Sequence, residues 1–137
     1  MCLLVTHKQP YNDSKIRYKI LKKRPNENYY SPFQETYWEN NELTAVNPNP
    51  SAFYAYIKDS TLSQRGIHVF VKATDAQKCN EIDMDAMKTL DAGKAEYVVV
   101  SVEVSGFLDA GENHNVGEYA NGKQAETWVH AKIIQEV

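Results

Sequence analysis

The chain has too few cysteines for a disulfide framework: Cys2 and Cys79 are its whole complement, and neither stands in the paired spacing of a metal site. It has no apolar run near the roughly eighteen residues of a membrane span, and the stretch at residues 2–5 is too short for the core of a secretion signal. Both thiols are therefore read as reduced and the protein as cytoplasmic. Glycine is sparse, six scattered among 137 residues, so no glycine-rich phosphate loop is present, nor any G-x-S-x-G elbow. The common enzyme signatures are missing, and no cofactor is expected. Charge of one sign is lacking overall, with a net of -3, but it is segregated along the chain. Residues 1–80 carry eleven Lys and Arg against seven Asp and Glu, whereas residues 81–137 carry four against eleven. An acidic second half argues against coating by nucleic acid.

What is present is the composition of a folded domain: 42% hydrophobic and 24% charged residues in a length suited to one core, so residues 1–137 are read as a single domain. "CLLVT" reads as a strand. "KIRYKILKKR" alternates, with Ile16, Tyr18 and Ile20 on one face and Arg17, Lys19 and Leu21 on the other, which predicts a half-buried edge strand with a basic outer face. Residues 40–51, rich in Asn and Pro, predict a loop, and the spacing of Ala52, Ala55 and Tyr56 favours a short helix. In "RGIHVFVKATDAQKC", Ile67, Val69 and Val71 point one way and His68, Phe70 and Lys72 the other. Thr74 and Gln77 then have the spacing of a capping box. The principal helix is predicted over 75–92, with a break near Asp83, a stop at Gly93 and a buried stripe of Ile82, Ala86, Met87 and Leu90. "EYVVVSVEVS" is the clearest strand, Asn121-Gly122 signals a hairpin, and the closing "ETWVHAKIIQEV" turns Val129, Ala131 and Ile133 inward. The fold class is α+β: a twisted, mainly antiparallel sheet of five to seven strands with one principal helix across one face.

Candidate chemistry centres on His68, which suits either a general base or a tie to a neighbouring group. Tyr30 and Glu103 are candidate companions around a small nucleotide. Tyr29, Tyr30, Tyr37 and Trp38, in an aromatic-rich stretch with Phe33, Phe53, Tyr54 and Tyr56, together with Arg17 and Lys19, could form a stacking platform beside a basic strip, or else serve the core. Glu112 and His114 make a Glu-x-His pair without the further ligands that zinc or iron requires, so no metal is expected. Cys2 would follow an exposed amine if Met1 were removed, an arrangement that resembles N-terminal-nucleophile amidotransferases, though Leu3 stands where those carry glycine. The alternative for Cys2 is a small apolar residue in an inner strand.

Taken together, "MCLLVT", "YKIL" at 18–21, "YSPF" at 30–33 and "GIHVF" at 66–70, followed by a helix around Ala76, resemble a loose group of small uncharacterised proteins of gut bacteria and their phages. In that group MCL, YK, SP and GFH or GIH boxes recur in the same order. The resemblance implies a phage-linked or mobile-element protein and makes Gly66 and His68 part of the group's pattern. Ile67, where others carry phenylalanine, is a departure that bears on packing. Two functions follow as expectations. The first is a non-enzymatic protein that binds a bacterial protein and inhibits a host defence or regulatory enzyme. The second is a nucleotide-binding module or enzyme around His68, similar to ADP-ribosyl-transferring folds in its Tyr-rich cleft. Neither involves a membrane or nucleic acid.

Overall fold

Alternating valine builds the centre of the molecule. Val98, Val100, Val102 and Val104 lie on one face of a strand and Tyr97, Val99 and Ser101 on the other, and all seven are buried, the pattern of a strand covered on both sides. The computed structural model describes residues 2–7, 14–32, 35–45, 54–57, 60–63, 66–91, 94–114 and 116–137. Its elements are β1 (Cys2–His7), β2 (Lys15–Lys23), β3 (Tyr29–Tyr30), β4 (Glu42–Thr44), β5 (Tyr54–Ile57), β6 (Ser60–Ser63), β7 (Ile67–Phe70), α1 (Ala73–Ile82), α2 (Asp85–Leu90), β8 (Glu96–His114) and β9 (Gln124–Glu136).

The 19 residues of β8 would span roughly 60 Å if straight, at about 3.3 Å per residue. At Gly106 the φ is 73°, which suits glycine, and an added Cβ would lie 2.7 Å from Cβ of Val129. The core-facing alternation changes phase across it, from Val104 to Phe107, which meets Trp128 edge-on with ring centroids 5.3 Å apart. β9 follows one edge of β8 for most of its length, while the other edge takes β2 in its first half and β1 in its second. β7 lies on the far side of β9 and returns to β2 through one pair, Tyr18 opposite Phe70. β2, β8, β9 and β7 therefore form a closed ring. Among the described residues every pairing is antiparallel, and β3, β4, β1, β6 and β5 extend the sheet to nine strands rather than five to seven.

Two cores result. Leu21, Val69, Val100 and Trp128, one from each ring strand, meet inside the ring with Trp38 packed among them. Outside it, Ile20, Phe70 and Val99 meet Ala76 and Cys79 of α1 and Met84 at the helix break, closed over by Val116 and Ala120 of the β8–β9 loop. Asp83 ties that loop to the helix by accepting from the backbone N–H groups of Tyr119 (3.0 Å) and Ala120 (2.9 Å).

Several expectations are corrected. The helix does break at Asp83, as expected, but it begins at Ala73 with Lys72 at its N-cap and no side-chain cap, so Thr74 and Gln77 do not form the box. The break at Asp83 resets the helical phase. Ala76, Cys79 and Met84 point inward, Met87 of the expected stripe packs partly buried against them, and Ile82, Ala86 and Leu90 face out. Residues 54–57 are a strand, because pairing with β6 overrides a helical spacing over four residues. Residues 42–44, within the expected loop, pair with β9. β2 is not an edge: β8 runs along it from Lys15 to Lys23, and β3 and β7 occupy its other side. Among the described residues no helix is long and apolar enough to cross a membrane.

Candidate functional site

The basic face of β2 points into the protein. Arg17 donates from Nε to Oε1 of Glu126 at 2.5 Å and from Nη2 to Oε2 at 3.3 Å, and the same carboxylate accepts from Trp128 Nε1 at 3.1 Å. Lys19, 7% exposed, donates to the backbone carbonyl of His68 at 2.8 Å. On the opposite face Lys22, 3% exposed, lies 2.8 Å from Asp91 and 3.0 Å from Glu35. Burial opposes its charge, but those two carboxylates outweigh it and hold the ammonium above its usual range. Arg17 and Lys19 are thus interior groups, not a strip offered to phosphate.

Burial alone lowers Lys19 to about 8, so at neutral pH a charged ammonium sits in the ring against its own preference. Lys19→Met, which keeps the length of the stem, is expected to stabilise the protein by about 1–2 kcal/mol at pH 7. The gain should shrink above pH 8, where the wild-type amine loses its proton. Urea unfolding at pH 7 and 9.5 measures both, and a destabilised variant at pH 7 would show that the carbonyl contact outweighs burial.

His68 shares its face of β7 with Phe70, as the alternation implies, but that face lies against the outer core rather than partly in solvent. It stands opposite Thr127, which stands opposite Asp109, so a polar row crosses three strands, and both of those partners are buried. Nε2 donates to Oδ1 of Asn113, which places the ring proton on that nitrogen. Burial, aided by the nearby charge of Lys19 and opposed by the Asn113 bond, lowers the imidazole to about 4. Around it Ile20, Pro32, Phe70, Met84 and Val116 line a cleft of about 20 Å³, room for a single water and not for a nucleotide. Cys79 borders the same cleft, but burial first, with Asp83 second, pushes its thiol up to about 12, far from the thiolate that chemistry needs.

The residues proposed beside His68 do not gather there. Glu103 is exposed opposite Ile16, on the far side of β2 from β7 and four residues along it from Ile20, roughly 13 Å by strand rise. Tyr30 lies past the other end of this region, opposite Lys22. It packs 5.4 Å from the ring of Tyr37, and the Arg24 guanidinium covers it at 4.2 Å, so one stacking surface is already used. Tyr29 donates to Glu136 at 2.9 Å, and Trp38 is buried, donating to Ser31 Oγ at 2.8 Å. Phe33 and Phe53 lie outside the described residues, as do the side chains of Cys2, Tyr54 and Tyr56. His114 ends β8 opposite Cys2. Among the described residues no group of three His, Cys, Asp or Glu is placed to hold a metal ion.

The surface that sequence reasoning missed is the outside of α1–α2. Leu90 is 84% exposed and Ile82 54%, with exposed Ala86 between them in the chain and exposed Glu81 and Asp85 beside them. The nearby lysines are engaged elsewhere: Lys88 donates to the carbonyl of Asn80 at 2.6 Å, and Lys78 lies 5.9 Å over the ring of Tyr119. The signal available in the sequence was Asp83, whose preference for capping competes with helix continuation. No family model, no curated protein and no solved structure matches this chain.

Proposed function

We propose that this protein acts by occupying a bacterial protein in the cytoplasm, in the manner of a phage- or mobile-element-encoded inhibitor of a host defence or regulatory enzyme. The observation that supports this reading is the outward apolar face of α1–α2. Burying a leucine side chain is worth about 1.5–3 kcal/mol, and the fold leaves Leu90 and Ile82 in water although the core lies directly beneath the same helices. Apolar anchors with carboxylates at their margin are the anatomy of a contact surface, in which the anchors supply affinity and the charges steer approach.

The test is capture from bacterial lysate with tagged wild type beside Ile82→Asp/Leu90→Asp, read by mass spectrometry. A stoichiometric partner held by the wild type and reduced at least tenfold in the variant is expected. The melting temperature should be nearly unchanged, because both side chains are exposed. A partner retained by the variant overturns this face as the contact. Absence of any protein partner, with a nucleotide carried through purification instead, overturns the binder and favours the ligand module.

A further inference from the structure

The joint between α1 and α2 is built on a wide turn. Met84 N–H donates to the carbonyl of Cys79 at 3.2 Å, five residues back rather than four, although Asp83 N–H already uses that carbonyl at 2.8 Å. The carbonyl of Asn80, which Met84 would take in an unbroken helix, is left to Lys88 Nζ at 2.6 Å. Asp83 secures the joint through the amides of Tyr119 and Ala120, and Asp91 secures the end of α2, accepting from the Tyr97 hydroxyl at 2.6 Å and lying 2.8 Å from Lys22 Nζ. The sequence encodes the unbroken helix as well. Ala76, Cys79, Asp83, Ala86 and Leu90 follow one another at alternate steps of three and four, the spacing of a single helical face, and every member of that line but Asp83 is apolar. Only Ala76 and Cys79 of the line are buried in the outer core, and Leu90 is 84% exposed.

We infer that this joint is a two-state switch that presents or withdraws the contact face. In the broken state Met84 fills the outer core and Leu90 stands in water. In the other state one helix runs through residues 73–90, Met84 N–H takes the Asn80 carbonyl from Lys88, and the line from Ala76 to Leu90 lies against the outer core in place of Met84. The exchange is of like for like: one long apolar side chain for another, and one donor on the Asn80 carbonyl for another. Asp83 sets the balance. In the unbroken helix it is the one carboxylate on an apolar face, whereas in the broken one it has two amide donors. The inference rests on the binder reading and gives that surface its regulation, because a partner that needs Leu90 binds only the broken state. Gly117 is where the β8–β9 loop acts on the switch, since an added Cβ there would collide with Cγ of Asp83.

The experiment places the full chain, its Leu and Met methyls labelled with ¹³C, in a solution of a gadolinium chelate and compares wild type with Asp83→Leu, which completes the apolar line and gives up the loop amides. Paramagnetic attenuation of the Leu90 methyls is expected to be strong in the wild type and to fall in Asp83→Leu to the level of the buried Leu21 methyls, while that of the Met84 methyl rises. Gly117→Ala crowds Asp83 without touching the helix, and Lys88→Met, at a half-buried position, frees the Asn80 carbonyl. Both are expected to move the two signals in the same direction, and melting temperatures identify the variants that fold. Leu90 methyls as exposed in the folded variants as in the wild type overturn the switch and leave the binder standing. In lysate capture, a variant that exposes Leu90 a tenth of the time should hold the partner about tenfold more weakly. A partner held equally by wild type and by an Asp83→Leu chain whose Leu90 is shielded overturns the regulation. No partner for the wild type removes the binder, while the methyl experiment still decides the switch.

Discussion

Glu126→Ala is expected to cost about 3 kcal/mol, the low end of the range for removing one partner of a buried ion pair, because the Arg17 side chain keeps 18% of its exposure. Glu126 is 4% exposed, and its carboxylate is the acceptor for two donors of Arg17 and for the Trp128 indole. Truncation leaves a guanidinium in the ring without its counter-charge, close in sequence to the buried ammonium of Lys19, and an indole N–H in the core without a partner. Glu126→Gln should cost less, because the amide oxygen can still accept while only the charge is lost. Arg17→Met/Glu126→Leu should recover most of the loss, since it removes both charges and leaves only the indole unsatisfied. Urea unfolding at pH 7 with unchanged m-values ranks the three variants. A Glu126→Ala loss below about 1 kcal/mol would mean that solvent screens the pair as it does at a surface.

The same pair shows why β2 was only half legible. Alternation establishes which residues share a face, and Arg17, Lys19 and Leu21 do share one. It cannot establish which face is wet, because that depends on partners far along the chain: Glu126 is 109 residues from Arg17, and the carbonyl that Lys19 reaches is 49 away. Where both faces are apolar the ambiguity vanishes, so the central strand around Val98–Val104 is readable from the letters alone, whereas the His68–Phe70 face of β7, which the alternation leaves partly exposed, is covered by the helix and the β8–β9 loop. Short elements failed for a different reason. Residues 54–57 and 42–44 take strand geometry from the strands they pair with rather than from their own periodicity. The helix stripe failed through one residue, since Asp83 exchanges helix continuation for the amides of Tyr119 and Ala120. That exchange turns Met84 inward and leaves Ile82 and Leu90 outside. The candidate contact face is therefore a product of tertiary structure, whereas His68 was visible from the start and only its partner, Asn113, was hidden.

Acidification from pH 7 to 4.5 is expected to destabilise the protein by about 2–3 kcal/mol through His68 alone. The imidazole titrates near 6.5 in the unfolded chain and at about 4 in the fold, where burial disfavours the cation. Above pH 6.5 both states hold it neutral and the contribution is fully present. As the pH falls from 6.5 toward 4 the unfolded chain takes up a proton that the folded protein refuses, and stability declines across that interval. The groups whose carboxyls are held low, Asp91 by hydrogen bonds from Lys22 and Tyr97, Glu35 by Lys22 and Glu136 by Tyr29 and Lys23, also lose stability in acid, but only near and below the usual carboxylate range. Urea midpoints for wild type and His68→Gln at pH 7, 5.5 and 4.5 therefore separate the two effects. The glutamine amide can still donate to Asn113, so the variant should start lower at pH 7, lose less between 7 and 4.5, and converge with wild type at the acid end. Parallel slopes would mean that His68 takes up its proton in the fold as readily as in the unfolded chain. In that case the Asn113 bond accommodates an imidazolium, and the residue is available for proton transfer near neutrality. The converging slopes expected here assign it instead to holding Asn113, and through it the base of the β8–β9 hairpin, whose backbone closes with Gly122 N–H donating to Asn113 O at 3.0 Å.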